Sequence, residues 1–246
     1  MPSKSDPIAS SVWIRPPRSR GEQPTLSRAQ IVRVAIELLD AEGPAGLSMR
    51  RLGTRLGAGA TSVYWHVANK DELLELAVDE VLAEVYVPEV GDTGWRTGAS
   101  VLASGMRTML LRHPWAIGLL GVRPTIGPNA MRMGDRMVAL FAAAGFAGLD
   151  LSHASSLLTS HAIGSATTTA AVTATSRQTG RPIEQMIKDL EPYLESVAAD
   201  HPNYDKWRRA SGITETSAGQ ILEDGFAFGL ERLLDGLQLW LDKAKT

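Results

Sequence analysis

The sequence predicts an all-α protein, in which a small N-terminal helix-turn-helix domain precedes a larger helical body. Apolar residues recur at the three- and four-residue spacing of helices in successive segments. Residues 48–67 contain two short helical patterns separated by the turn sequence Gly57-Ala58-Gly59. Clusters of Gly and Pro separate the later helical segments. The 246 residues, 44% of them hydrophobic, are enough to bury a sizeable core in one large or two small domains.

The first helix is predicted over roughly residues 27–42. Ser27 and Gln30 match a capping box, in which each side chain accepts a hydrogen bond from the other residue's backbone amide. Apolar residues fall on one face of this helix, and Gly43-Pro44 is expected to end it. The residues of the face are Ile31, Val34, Ala35, Leu38 and Leu39.

A second helix is predicted to begin after Ser48, whose hydroxyl suits an N-cap. Its apolar stripe of Met49, Leu52 and Leu56 leaves the arginines off the buried side. Gly57 supplies the left-handed backbone that a tight turn requires at low energetic cost.

A third helix is predicted from about Ala60, anchored by Val63 and Val67. Two short helices and a glycine turn occur in many helical proteins, so this pattern alone is not specific. Three amphipathic rings in succession, at residues 64–66, favour instead a helix that lies against phosphates, because such rings pack at one edge and hydrogen-bond at the other. The pattern is typical of a helix-turn-helix whose second helix enters the major groove.

The stretch GATSVYWHVANKDELLELAVDEVL resembles the DNA-binding domain of the tetracycline-repressor (TetR) family. Further along, LGVRPTIGP is similar to an L-G-x-R-P turn of that family, and GFAFGLERLLDGL resembles its last helix. The resemblance is strong over residues 25–85 and moderate over 95–243. It implies a homodimeric transcription repressor that binds a double-stranded DNA operator and is released by a small-molecule effector.

The charge distribution agrees with a DNA-binding head. Residues 1–70 carry ten Lys/Arg and five Asp/Glu, whereas the remainder carries fifteen and twenty-two. This places a basic end towards phosphates and an acidic body away from them. The absence of cysteine suits a reducing cytoplasm, and neither a signal peptide nor an eighteen-residue apolar run indicates a membrane.

Three regions are expected: an N-terminal arm over 1–24, a DNA-binding domain over 25–90, and an effector-binding and dimerisation domain over 91–246. The arm is rich in Ser, Pro and Arg without a periodic face, so we expect it to be disordered in the free protein. Arg15, Arg18 and Arg20 belong either to a solvated tail or to a basic arm that follows the minor groove. Trp13 and Ile14 keep the second interpretation open.

Helix four is predicted to run from residue 70 to Pro88, with Asn69 and Glu72 repeating the capping pattern. A linker over 87–94 then ends the head. Further helices are predicted at about 95–112, 114–120, 128–144, 150–174, 183–199 and 217–243. Residues 200–216 have no apolar face and are predicted to form a loop.

The resemblance assigns DNA contacts to individual positions. Arg50 occupies the place of a base-reading arginine, and a guanidinium suits bidentate contact with guanine. Ser62 matches another contact position, whereas Tyr64, His66 and Lys70 match phosphate-facing ones.

Two positions of the third helix depart from the family pattern. Ala60 stands in place of a base-reading glutamine and Thr61 in place of a proline. Alanine cannot make the bidentate adenine contact, so the operator is expected to differ from the tetracycline operator. Trp65 either packs against helix one or touches DNA.

The resemblance also implies an effector pocket in the body, largely apolar with a few polar groups. A mid-sized, uncharged or weakly polar molecule is the expected ligand. The small residues of helix 150–174 admit this ligand, pack a dimer interface, or do both, as the corresponding helix does in the family. His161 is either a pocket wall or a hydrogen-bonded core residue. The matching positions are Leu119, Met137, Phe141, Leu157, Ser160, His161, Gly164, Ser165 and Thr168.

No metal or cofactor is expected. Tetracycline repressors hold a magnesium–drug chelate through histidine and carboxylate side chains. In this sequence the two histidine positions are Leu119 and Tyr86, and the carboxylate position falls near Thr173. Mg²⁺ prefers hard oxygen ligands, which leucine lacks. His153 and His161 are roughly 12 Å apart by helical rise, too far to share a metal ion.

The last helix predicts a dimer, because its apolar residues run most of the way round and must be covered on two sides. Pairing with helix 150–174 and with the two-fold copies of both would make a four-helix interface. Enzyme signatures such as a phosphate loop, H-E-x-x-H or G-x-S-x-G are absent from the sequence. The alternatives are a DNA-binding protein without a ligand and, more remotely, an enzyme or carrier built on a helical bundle.

Overall fold

The computed structural model describes residues 8, 11–14, 26–89, 91, 94–212 and 216–243, and within these ranges the regular structure is helical. This confirms the predicted all-α fold. Helices α1 (Arg28–Gly46), α2 (Met49–Arg55) and α3 (Ala60–His66) form the head. The predicted capping box of α1 is present, since Ser27 Oγ accepts from Gln30 N and Gln30 Oε1 accepts from Ser27 N. Helical geometry in α1 is interrupted at Gly43, with φ 67° and ψ −175°.

Helix α4 (Lys70–Leu82) joins the head to the body. Ten of its 13 residues are buried, because both the head and the body cover it. Asn69 Oδ1 accepts from the amide of Glu72 (2.8 Å), as predicted, but the Glu72 carboxylate accepts from Ala68 N (3.1 Å). The prediction that this helix runs to Pro88 is wrong. It ends at Leu82, because Val85 and Val87 are buried against the body in a non-helical segment.

The body is built on α5 (Trp95–Arg112), α6 (Pro128–Ala144), α7 (Gly148–Thr179) and the last long helix, Ala218–Lys243. Trp95, Phe141 and Phe146 form an aromatic cluster with ring centroids 5.6–6.4 Å apart, and Trp240 stacks on Phe146. The region 114–120 is a single 3₁₀ turn, Pro114–Ala116, rather than the predicted helix.

Three short helices lie between α7 and the last helix: α8 (Ile183–Asp189), α9 (Glu191–Ser196) and α10 (Pro202–Ala210). The last long helix is therefore α11. The prediction of a loop over 200–216 is wrong for 202–210. Asp205 pairs with Arg208 and Arg209 at i+3 and i+4, so charge pairing stabilises α10 in place of an apolar face.

Part of the N-terminal region is ordered against α4. Ser11 is fully buried, and its hydroxyl donates to Glu75 Oε2 (2.7 Å), which also accepts from Val12 N (3.1 Å). The indole of Trp13 packs beside Gly127, where an added Cβ would lie 2.6 Å from Trp13 Cζ2. Residues 11–14 therefore form a docked turn, where the sequence predicts a disordered arm.

The same face of α4 holds the start of α6. Asp79, buried one turn after Glu75, accepts from Ala130 N (2.9 Å) and Asn129 N (3.3 Å). Two buried carboxylates of α4 thus receive backbone donors from the N-terminal turn and from α6.

Across the described ranges, no single helix combines the length and apolar content of a membrane span. Helices α6 and α7 meet that criterion only as a pair bent by 118°.

Candidate nucleic-acid interface and effector region

Helices α2 and α3 form the predicted helix-turn-helix. Ser48 Oγ accepts from Arg51 N (3.2 Å) and so caps α2, as its sequence context predicts. Gly57 has φ 63°, and the amide of the following Ala58 donates to Gly53 O (2.9 Å). A Cβ added at Gly53 would lie 2.9 Å from the carbonyl oxygen of Ala58, so the turn and α2 pack at a distance that only glycine permits.

Helix α3, the predicted recognition helix, has one anchored side and one open side. Val63 and Val67 are fully buried, as predicted. Tyr64 is 48% exposed and Trp65 is 78% exposed. The indole therefore does not pack against α1, which removes one of the two interpretations of Trp65. Of the remaining predicted contacts on this helix, Thr61 and Ser62 are exposed and Ala60 is half-buried.

The three arginines of α2 differ in their partners. Arg51 makes two hydrogen bonds to Glu42 (2.5 and 2.6 Å), which lower the pKa of Glu42, and it also donates to Gly46 O. Arg55 lies 3.8 Å from Glu37. Arg50 is exposed and makes no ion pair with any residue that the structure describes. All three line a groove of about 390 Å³ together with Leu38 and Thr54.

The remaining predicted DNA contacts lie at the ends of α3 and α4. His66 is half-buried, and Lys70 Nζ donates to Pro44 O. Arg28, which sequence reasoning did not single out, donates to His66 O (3.4 Å) and so ties the start of α1 to the end of α3. Arg15, Arg18 and Arg20 fall outside the described residues.

The residues predicted to hold an effector do not share one surface. Phe141 is fully buried in the aromatic cluster, and Leu119 and Met137 are half-buried against the core. Four others lie on the outward side of α7, where helical spacing forms them into one exposed stripe: Leu157, Ser160, Gly164 and Thr168. Ser165 Oγ accepts from the buried Arg107, whose guanidinium also pairs with Glu223.

His161 is engaged within the protomer. Its Nε2 lies 3.0 Å from Phe226 O, and because a carbonyl only accepts, this nitrogen carries the proton of that hydrogen bond. The ring also stacks on Phe226 with a centroid distance of 5.2 Å. The imidazole therefore joins α7 to α11, which favours the core interpretation over the pocket-wall interpretation.

A cavity of about 180 Å³ lies between the segment after α4 and the start of α6. Tyr86, Met133, Arg132 and Arg136 are among its lining residues. Arg136 donates to Val87 O (3.1 Å), which holds the post-α4 segment on α6. Within the part of the chain that the structure describes, no three His, Asp or Glu side chains are grouped as metal ligands.

Comparison with known proteins matches both halves of the chain. The family described as "Bacterial regulatory proteins, tetR family" matches residues 31–77, and "Tetracyclin repressor-like, C-terminal domain" matches residues 87–241. An HTH-type transcriptional regulator of Saccharopolyspora erythraea is 42% identical over 66% of this chain and 69% of its own length. The HTH-type transcriptional repressor DrrR1 of Streptomyces coeruleorubidus is 33% identical over 90% of this chain and 80% of its own.

Solved structures of ActR from Streptomyces coelicolor have the same fold. Apo ActR is 30% identical, with a TM-score of 0.74 over 90% of this chain and 99% of that one. ActR in complex with actinorhodin is 32% identical, with a TM-score of 0.71 over 87% of this chain and 98% of that one.

Proposed function

Because the chain belongs to the TetR family of DNA-binding transcriptional regulators, we propose that it is a homodimeric repressor that binds a palindromic operator and leaves it when a small apolar effector binds. Its relatives are transcriptional regulators rather than enzymes. Beyond family membership, we propose which residues read DNA, where the dimer forms and what kind of effector binds.

One observation carries the DNA-reading part of the proposal: Arg50 is exposed without an ion pair among the described residues, while its neighbours Arg51 and Arg55 face Glu42 and Glu37. A guanidinium that has no such pair among the described residues has its donors available for a base edge, where bidentate contact with guanine gives specificity. Paired arginines instead support α1 and contribute less charge to phosphates. Arg50 is therefore the proposed base reader of α2.

The exposed side of α3 supplies the remaining proposed contacts. Trp65, at 78% exposure, presents a large ring to the DNA, where it would meet sugars or a thymine methyl. Ala60 and Thr61 would lie against base edges, and Ser62, Tyr64, His66 and Lys70 against the backbone. Because Ala60 offers only a methyl group, the half-site is expected to differ from the tetracycline operator.

The dimer is proposed to form on α7 and α11. The outward stripe of α7 consists of Leu157 and three small residues, Ser160, Gly164 and Thr168, and α11 exposes Phe228 and Leu239 opposite its buried face. A second copy of the chain would cover these residues in a four-helix arrangement. Two recognition helices related by a two-fold axis then require a palindromic operator with a set half-site spacing.

This effector is proposed to be a small molecule of middle size, apolar or at most weakly polar, held in the body near Leu119 and Met137, which are half-buried against the core. That ActR binds actinorhodin supports a ligand of this kind for a chain of the same fold. A ligand that binds the off-DNA shape more tightly shifts the equilibrium by the difference in affinity. The proposed motion is a swing of α4, which alters the distance between recognition helices.

The test is selection of bound sequences from random duplex DNA with the unmodified protein, Arg50→Ala and Arg51→Ala. We expect a palindrome from the unmodified protein and one relaxed base pair per half-site with Arg50→Ala. Arg51→Ala serves as the matched control, and it should keep the base preferences while weakening the head through loss of its Glu42 pair. Binding of every sequence alike, lost as salt is raised, would contradict the proposed operator recognition.

A further inference from the structure

A buried histidine lies where the head meets the body. His113 follows the last turn of α5, where its amide donates to Met109 O (2.9 Å), and only 4% of the residue is exposed. Its imidazole lies between two carboxylates. Nδ1 is 2.7 Å from Asp40 Oδ1, and Nε2 is 3.0 Å from Glu84 Oε1.

These partners come from three different parts of the molecule. Asp40 belongs to α1 of the head, Glu84 follows the C-terminus of α4, and His113 belongs to the body. Trp115, in the 3₁₀ turn, donates from Nε1 to the same Asp40 oxygen (2.7 Å) and is 7% exposed. We name Asp40, Glu84, His113 and Trp115 the His113 joint.

The shape of the imidazole ring fixes the geometry of the His113 joint. The ring is planar and rigid, with its two nitrogens at separate edges, so it fixes the separation of the carboxylates it faces. When both nitrogens carry protons, both contacts are charge-assisted hydrogen bonds, which are stronger than neutral ones. Removing the ring would leave two carboxylates around a buried gap without their common partner.

We propose that His113 is a positioning residue for operator recognition: by joining α1 to the end of α4 and to α5, it sets the distance between the two recognition helices of the dimer. This inference rests on the proposed function, since it concerns a dimer on a palindrome. One base pair of added spacing moves the half-sites apart by about 3.4 Å and rotates them about the DNA axis. A head that the joint holds rigidly tolerates such a change poorly, and a loosened head tolerates it better.

The experiment uses the palindrome recovered from the selection and two versions whose centre is one base pair longer or shorter. Affinities for all three duplexes are measured for the unmodified protein, His113→Leu, Asp40→Asn and Arg112→Ala. Asp40→Asn is the milder variant, because it keeps an oxygen for the Trp115 donor while losing the charge. Arg112→Ala is the matched control, since that guanidinium contacts Glu84 Oε2 (2.8 Å), the oxygen that does not face His113, and its loss leaves the three contacts within the joint in place.

We expect the unmodified protein and Arg112→Ala to prefer the selected spacing by about tenfold or more, and both joint variants to prefer it by about threefold or less. A merely structural role would weaken binding to all three duplexes by one common factor, and that result in both joint variants would overturn the inference. If the unmodified protein selects no palindrome, the proposed function fails and the inference fails with it. A palindrome with unchanged spacing preference in the joint variants would overturn the inference alone.

Discussion

At the scale of single residues, the head depends on Gly53. Close packing requires glycine at this position, and the backbone conformation does not. Gly53 sits inside α2 and faces the turn, with Ala58 O and Ala60 N within 3.1 Å of the position that a Cβ would take. Those atoms are backbone, so they cannot turn aside as a side chain could. The angle between α2 and α3 therefore depends on the absence of one methyl group.

Gly53→Ala is expected to destabilise the protein by about 1–3 kcal/mol, because the added methyl forces the two helices apart. Operator affinity should fall as well, since α3 moves relative to α2. Thermal unfolding and binding to the selected palindrome measure the two effects. Gly134→Ala in α6 is the control, because a Cβ there meets no atom within 4 Å. Replacing a glycine inside a helix by alanine should raise the free energy of unfolding by about 0.5–1 kcal/mol. Equal stability of the two variants would contradict the packing argument.

At the scale of elements, sequence periodicity predicts the helices with apolar faces and misses α10, which ion pairs hold. The bounds predicted for α5, α6 and α11 agree with the structure to within a residue, because each has a stripe of buried residues. Helix α10 was missed because its one buried residue is Arg208, whose partners Glu191 and Glu195 lie 17 and 13 positions away. Helix α4 is predicted too long because buried valines continue past its end in non-helical backbone.

The ion pairs around Arg208 make α10 sensitive to acid. Hydrogen bonds from Arg208 lower the pKa of Glu195 below 4.5, and hydrogen bonds from Arg209 lower the pKa of Asp205 below 3.8. A lowered folded-state pKa contributes stability that is complete above the unfolded value and is lost as the pH falls through the folded value. Helix α10 should therefore be fully formed at neutral pH and should open below these ordinary values.

Hydrogen exchange checks this prediction: after correction for intrinsic rates, the hydrogen-bonded amides of residues 205–210 should lose protection from neutral pH to below 3.8 while those of α5 keep theirs. Arg208→Gln should expose α10 already at neutral pH. Lys206→Gln, on the same helix but outside the ion pairs, should not. Unchanged protection of α10 in acid would show that the ion pairs do not hold it.

At the scale of the whole molecule, α11 divides its apolar residues between its own core and the proposed partner. Phe226, Leu230, Leu234, Leu237 and Leu241 are buried within the protomer. On the opposite side, Phe228 is 66% and Leu239 57% exposed. Phe228 and Leu239 lie on the same exposed face of α11, as expected for a helix that is covered on two sides.

Phe228→Glu and Leu239→Glu are expected to convert the dimer to a monomer, because each places a carboxylate in the proposed apolar interface. Operator affinity should fall by about 10²-fold or more, since the two half-sites are then bound independently. Sedimentation reports the mass, and titration with the palindrome reports the affinity. Met131→Glu, on an equally exposed apolar residue of α6 (59%), should remain dimeric. Dimers of normal affinity in both α11 variants would exclude this interface.

The long-range contacts of α4 with the N-terminal turn and of α1 with the body are the part of the structure that sequence reasoning could not reach. Ser11 lies 64 residues from Glu75, and His113 lies 73 residues from Asp40. No local spacing rule connects such pairs, because tertiary packing alone brings them together. The DNA-facing residues were easier to predict, since α2, the turn and α3 form one continuous stretch of sequence.

The docked N-terminal turn also has a consequence for comparison among relatives. Glu75 is a buried carboxylate whose two described donors, Ser11 Oγ and Val12 N, both precede α1. In a protein of this fold with a shorter segment before α1, an acid at the position of Glu75 would lack those donors. The free energy of unfolding would then be lower by about 1–3 kcal/mol or more. In evolution, the length of the segment before α1 should therefore change together with the residue type at the position of Glu75 in the middle of α4. Across aligned sequences, an acid matching Glu75 is expected to co-vary with a leading segment long enough to reach it.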